Sequence, residues 1–201
     1  MIILNDLIQG SPEWFKEKLG KPSASSADMI ITPQGKQSKQ RDGYMYALAA
    51  ERISGLVTDS FKSKAMETGL EREEESRNFY KLINNVEVEQ VGLIYKDDKK
   101  NFLCSPDGIM SKYKRGLELK NVLPKTQVKY LLHGGLEKEY FVQVQSSLYV
   151  TGYTDWDICS YSPGLKPVII TIYRDVAFQA ALEFEVKLFC KELDLITEKI
   201  R

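Results

Sequence analysis

Apolar residues recur three and four apart in the first part of the chain and at every second position in the middle, so the sequence predicts helices followed by strands. Ser11 followed by Pro12 is an N-cap with proline at the first helical position, which places a short helix over residues 13–19 that Gly20 closes. A second short helix starts at Ser25 or Ser26 and ends at Ile31. A third covers residues 44–54, where Tyr44, Leu48 and Ile53 lie near helical spacing and Gly55 is the stop. The fourth is long, residues 63–83, with Met66, Leu70 and Phe79 marking its apolar stripe.

After Asn84 and Asn85 the period changes to alternation. Residues 86–95 form the first strand, and residues 102–105, 108–111 and 116–122 an antiparallel meander whose second turn is the charged segment 112–115. Helices over 124–132 and 137–151, strands over 157–161 and 167–174, and an amphipathic helix over 176–200 follow. This order predicts an α/β domain, a mixed sheet flanked by helices. No repeat or low-complexity linker divides it, so residues 1–201 are expected to be one domain, with a mobile, basic loop over residues 32–43.

Length and composition narrow the function classes. A chain of 201 residues buries a substantial core without staples. Twenty-eight basic and 28 acidic residues cancel, so any basic surface must be local. Three scattered cysteines, Cys104, Cys159 and Cys190, make no CxxC pair, and His133 is the sole histidine; zinc knuckles, redox dithiols and HExxH chemistry are excluded. The N-terminal MIILNDLIQGSPEWF lacks a basic n-region, and no stretch approaches the ~18 apolar residues of a membrane span. A soluble, cytoplasmic protein without membrane contact is expected.

The chemistry concentrates in residues 104–121, CSPDGIMSKYKRGLELKN. On a strand Glu118 and Lys120 share one face while Leu117 and Leu119 share the other, and the apolar pair decides the register. Asp107, eleven residues earlier, starts the preceding strand and can lie across the hairpin from Glu118. Two carboxylates beside a backbone carbonyl make an oxygen-rich site suited to Mg²⁺ or Mn²⁺, as phosphodiester hydrolysis requires. A neighbouring lysine can orient or deprotonate the attacking water. Taken singly, Pro-Asp-Gly is also a turn signature and Glu-x-Lys a solvated surface pair. Residues alone leave both alternatives open.

The step from SPDG to GLELK resembles the PD-(D/E)xK nuclease superfamily, and the likeness extends to the lambda exonuclease, or YqaJ-like viral recombinase, family. WFKEKLGKPSAS (14–25) resembles that family's W-x-x-x-R-x-G-x-x-T-A-S entry motif, and FVQVQSSLYVTG (141–152) its glutamine-bearing helix. The resemblance implies a restriction-endonuclease-like fold with Asp107, Glu118 and the Leu119 carbonyl as metal ligands and Lys120 as the catalytic lysine. It further implies that Glu73 assists the metal site and that Gln143 is the active-site glutamine with Gln145 as its neighbour; a helix-surface position or an i,i+4 contact with Tyr149 suits Gln145 at least as well.

The same resemblance implies a pocket for a terminal 5′ phosphate, built here from Lys18, Ser25 and Ser105. Lys18 replaces the family's arginine and keeps charge without the two-pronged donor set. Ser23 and Ser25 are also candidate helix caps. Met66 aligns with an apolar residue that wedges against the terminal base pair, and is also a candidate core residue. Family members are toroidal trimers acting beside a single-strand annealing protein. A ring accounts for a neutral chain holding DNA, with Lys36, Lys39, Arg41, Lys112, Lys114 and Arg115 as candidate inward-facing charges. The implied activity is that of a Mg²⁺-dependent (or Mn²⁺-dependent) 5′→3′ exonuclease, processive on duplex DNA ends in a bacterial host cell and leaving a 3′ overhang for recombination. An endonuclease and a non-catalytic binding module are the rival readings.

Overall fold

Two sheets organise the fold, and one segment serves both. The computed structural model describes residues 1–56 and 72–201. Strands β1 (Ile2–Leu4), β2 (Leu93–Tyr95) and β3 (Leu103–Cys104) form an antiparallel sheet in that order. Strands β4 (Gly108–Met110), β5 (Arg115–Asn121), β6 (Asp155–Tyr161) and β7 (Val168–Tyr173) form a second, mixed sheet in which β5 and β6 run parallel and the outer pairs antiparallel. The expected meander is therefore two hairpins in different sheets. Pro106, which has no N–H to give a ladder, stands between them. The expected strand over 86–95 is likewise split, because Glu89 bridges to Ile109 of the second sheet while Leu93 pairs with Leu4 of the first.

The helices differ from expectation at their ends. Helix α1 (Pro12–Lys18) is capped by Ser11, whose Oγ accepts from the Trp14 N–H at 3.2 Å. The second helix is a 3₁₀ segment, Ala24–Met29. The basic loop closes on itself through Thr32 N–H to Lys36 O (2.7 Å) and Ser38 N–H to Ile30 O (3.0 Å), so it is a hydrogen-bonded turn where a mobile segment was expected. Helix α2 (Arg41–Ser54) begins three residues early and ends at Gly55 in the left-handed region. Helix α3 (Glu73–Asn84) covers the described part of the fourth expected helix; its earlier residues, Met66 among them, lie outside the described residues. Helices α4 (Pro124–His133), α5 (Leu136–Glu139), α6 (Phe141–Thr151) and α7 (Val176–Ile200) complete the chain. The expected helix 137–151 is broken at Tyr140, whose φ of −110° and ψ of 13° leave the helical basin.

Parallel strands require a crossover, and α4 to α6 supply it between β5 and β6. Helix α6 is buried on nearly every side, packed against the 3₁₀ segment, β2, β3, β5, β6 and α7. Both faces of the mixed sheet are thus covered. Leu117 and Leu119 of β5 join Tyr80, Val88, Met110 and Cys159 on the α3 side. On the α6 side Trp156 lies across Gly116, where a Cβ would meet the indole at 2.3 Å, and anchors the main core with Leu148, Phe178 and Phe189. The strand alternation holds, but its polar face is enclosed: Glu118 is only 6% exposed. A carboxylate buried that deeply needs partners of its own.

Candidate active site

At the C-terminal half of β5 the sheet brings acidic and basic groups together. Gly108 pairs with Leu117, so Asp107 lies opposite Glu118, and its Oδ2 accepts from the Leu119 N–H at 2.6 Å. In an extended strand a residue's N–H and C=O leave the same edge, so the Leu119 carbonyl also faces Asp107. Lys120 Nζ donates to Glu118 Oε1 at 2.8 Å and to Gln143 Oε1 at 3.2 Å, and Gln143 Nε2 donates to Glu118 Oε1 at 2.6 Å. Glu73, the first residue of α3, is ion-paired with Arg77 one turn on. Arg77 Nε donates to the Asp107 main-chain oxygen at 2.9 Å, which links the helix to the loop before β4.

The electrostatics follow from this crowding. Burial raises the Asp107 pKa well above the usual carboxylate range, the charges of Glu118 and Glu73 raise it further, and Lys120 and the Leu119 N–H only partly oppose them. Burial disfavours the Lys120 ammonium, yet Glu118 and Asp107 outweigh it and hold its pKa above the ordinary lysine value. The carboxylates Asp107, Glu118 and Glu73 outnumber the cations Lys120 and Arg77 in this cluster. The candidate donors Asp107, Glu118 and the Leu119 carbonyl are all hard oxygens, the kind that Mg²⁺ or Mn²⁺ takes. Among the described residues no three His, Cys, Asp or Glu side chains converge as a complete metal cage, consistent with Glu73 being engaged by Arg77.

The acidic cluster borders a cleft of about 1540 Å³ whose lining includes Asp107, Glu73, Arg77, Lys18, Lys39 and Ser25. The sequence profile of the YqaJ-like viral recombinase domain matches residues 13–154, from the entry motif through the glutamine-bearing helix. The chain belongs to that family. An alkaline exonuclease from Laribacter hongkongensis has a similar structure, at 30% identity and a TM-score of 0.83 over 94% of this chain and 96% of that one. A phage-related exonuclease from Haemophilus somnus shares the fold at 13% identity and a TM-score of 0.73, covering 90% of this chain and 96% of its own. An uncharacterised protein of Acanthamoeba polyphaga mimivirus is 26% identical over 166 residues, which is 76% of this chain and only 28% of that protein. The chain thus spans under a third of that viral relative's length.

Within this YqaJ-like chain the fold converges Asp107, Glu118, Leu119, Lys120 and Gln143, while Glu73, paired with Arg77, lines the adjoining cleft. Lys18 and Ser25 lie on the cleft wall, where Lys18 Nζ sits 3.9 Å above the Trp14 ring and burial lowers its pKa to about 8 against a small opposing pull from Cys104. The Ser105 Oγ is buried without a hydrogen-bond partner among the described residues and is not part of that wall. Lys39 lines the cleft, and Lys36 is exposed elsewhere on the turn. Arg41 is not an exposed cation. As the first residue of α2 it is 7% exposed, paired with Glu192 at 2.6 Å and stacked near Phe189, because α2 begins earlier than its apolar spacing suggested. Arg115 is likewise engaged by Asp155 and Asp157, while Lys112 and Lys114 remain exposed at the hairpin turn. Gln145 is not on a helix surface. It is fully buried, donating to the Tyr173 carbonyl at 2.7 Å and accepting from the Asp175 N–H at 3.1 Å.

Three site residues escape sequence reasoning. Arg77 carried a readable signal, an acid–base pair at i,i+4 with Glu73. Gln9, which donates to the carbonyls of Pro106 (2.8 Å) and Val91 (2.9 Å), carried none. Tyr140 marks the break between α5 and α6, and Lys120 Nζ lies 4.3 Å from its ring centroid. A cation over a shielded aromatic face is worth roughly 0.5–2 kcal/mol. Tyr140→Leu is therefore expected to slow single-turnover hydrolysis about tenfold with the KM for DNA ends unchanged, while Tyr140→Phe keeps wild-type rates. Equal loss in both variants would assign the effect to the hydroxyl instead.

Proposed function

We propose that the protein is a divalent-metal-dependent exodeoxyribonuclease that enters duplex DNA at an end and hydrolyses one strand 5′→3′, leaving a 3′ overhang for recombination. The observation that carries this is the convergence of Asp107, Glu118 and Lys120 beside a cleft of about 1540 Å³ that Asp107 itself lines. A chain of 30% identity and nearly the same extent is named an alkaline exonuclease, and it has been crystallised with dAMP, a mononucleotide of the kind such hydrolysis releases.

Asp107, Glu118 and the Leu119 carbonyl would hold Mg²⁺, with Mn²⁺ as a substitute. The ion would supply Lewis acidity toward the scissile phosphate and lower the pKa of attacking water. Lys120 stands beside Glu118, where its ammonium can orient water or neutralise a phosphate oxygen. Gln143 holds both partners by bridging them, so neither side chain has to be ordered when substrate arrives. Lys18 and Lys39 on the cleft wall supply charge for the DNA backbone, and enclosure by a trimeric ring would let a chain of zero net charge stay on its substrate. The overhang would pass to a single-strand annealing protein in the host cytoplasm. No helix among the described residues is long and apolar enough to cross a membrane.

Duplexes labelled separately at each 5′ end, with and without a 5′ phosphate, test the proposal directly. Linear duplex is expected to yield mononucleotides from the 5′-terminated strand, EDTA to stop the reaction, and closed circular DNA to survive. Discrete fragments, or circles cut as fast as linear DNA, would assign an endonuclease. No hydrolysis with Mg²⁺ or Mn²⁺ would leave a binding module.

A further inference from the structure

Arg77 is buried to 6% exposure, and nothing in the proposed chemistry uses it. A guanidinium presents five N–H groups in a rigid fork, and here that fork is shared between Arg77's own helix and two later segments of the chain. Its Nε donates to the main-chain oxygen of Asp107 at 2.9 Å, and a terminal nitrogen pairs with the Glu73 carboxylate. With its amide oxygen turned toward the guanidinium, Gln90 accepts from both terminal nitrogens at 2.7 and 3.1 Å. Asp107 is thereby held twice. Arg77 grips its backbone from α3, and the Leu119 N–H grips its carboxylate from β5.

We infer that Arg77 is the positioning residue of this centre: it fixes the distance between the Glu73 and Asp107 carboxylates and keeps Asp107 aimed at the Glu118 side of the metal site. The inference rests on the proposed nuclease function. Two alternatives are weaker. A direct grip on DNA phosphate would leave Glu73 and the Asp107 carbonyl without a buried donor, and a purely structural clamp would not need to hold a metal-site residue by its own peptide unit. Lysine cannot replace it. An ammonium preserves the charge, but it lacks the planar fork that reaches Glu73 and the Asp107 carbonyl together.

The test compares wild type with Arg77→Lys, Arg77→Gln and Glu73→Gln, reading Mn²⁺ binding to the DNA-free protein by electron paramagnetic resonance alongside kcat and KM on linear duplex. Arg77→Lys is expected to weaken Mn²⁺ binding and to lower kcat, each about 10–100-fold, while KM stays near wild type, as for other groups that orient metal ligands. The losses from Arg77→Gln and Glu73→Gln are expected to be non-additive in the double variant, because both break one pair. Wild-type Mn²⁺ affinity and kcat in Arg77→Lys would overturn the inference and leave the nuclease standing. A raised KM with unchanged kcat would overturn it in favour of DNA contact. If the wild type binds Mn²⁺ but hydrolyses nothing, the nuclease reading fails, and the binding and additivity arms still decide the role of Arg77. If the wild type does not bind Mn²⁺, both fail.

Discussion

Lys120→Ala is expected to lower kcat by ~10²–10⁴-fold while leaving the protein folded and bound to DNA ends. The lysine is placed for chemistry. Its Nζ lies within hydrogen-bond reach of Glu118 and Gln143 and over the Tyr140 ring, with only 18% of its side chain exposed. Glu118 keeps the Gln143 amide as a donor in the variant, so the buried carboxylate is not left without a partner. DNA affinity and its salt dependence, measured by anisotropy in Ca²⁺, are expected to match wild type. A salt slope reduced by about one would mean that Lys120 contacts phosphate in the ground state. Undiminished hydrolysis would remove the lysine, and with it the catalytic arrangement proposed above.

Asp107→Asn is expected to abolish hydrolysis and, at the same time, to make the metal-free protein more stable. Burial and the neighbouring charges of Glu118 and Glu73 raise the Asp107 pKa in the fold, so the folded state binds this proton more tightly than the unfolded chain does. Stability from this group is therefore greatest below the ordinary aspartate pKa. It declines as pH climbs from there to the raised folded value, then levels. At neutral pH in EDTA the wild type bears the full penalty, and asparagine bears none while its amide oxygen can still accept from the Leu119 N–H. The variant should melt a few degrees higher in EDTA and show a flatter pH dependence above pH ~4. Mg²⁺ should then raise the melting temperature of wild type but not of the variant, since binding to the folded state alone stabilises it. A lower melting temperature for Asp107→Asn in EDTA would show that the acidic cluster is not strained, and equal stabilisation by Mg²⁺ would show that Asp107 is not a ligand.

How much of this centre can be read from the chain depends on how local each relation is. Glu118 and Lys120 share a face because strands alternate, and Asp107 meets them because a hairpin of that length closes opposite them. Gln143 entered through resemblance to a family motif, and the fold places it on the same two side chains. Charge, by contrast, says nothing about partners. Arg41 and Arg115 look like free cations in the sequence, yet Glu192 and the pair Asp155 and Asp157 neutralise them from distant elements. Gln145 looked like a surface residue because helix α6 was assumed to have one, and that helix is enclosed.

By itself, then, the amino-acid order determined the α/β alternation, the register of β5, and the acid–acid–lysine set, all set by contacts within about a dozen residues. Tertiary structure alone decided that Pro106 separates two sheets, that the α5–α6 break slides the Tyr140 ring beneath Lys120, and that Arg77 spans from Glu73 to the Asp107 backbone. Those relations join segments tens of residues apart. Their geometry exists only once the core around Trp156 and the enclosed helix α6 has brought the segments into register.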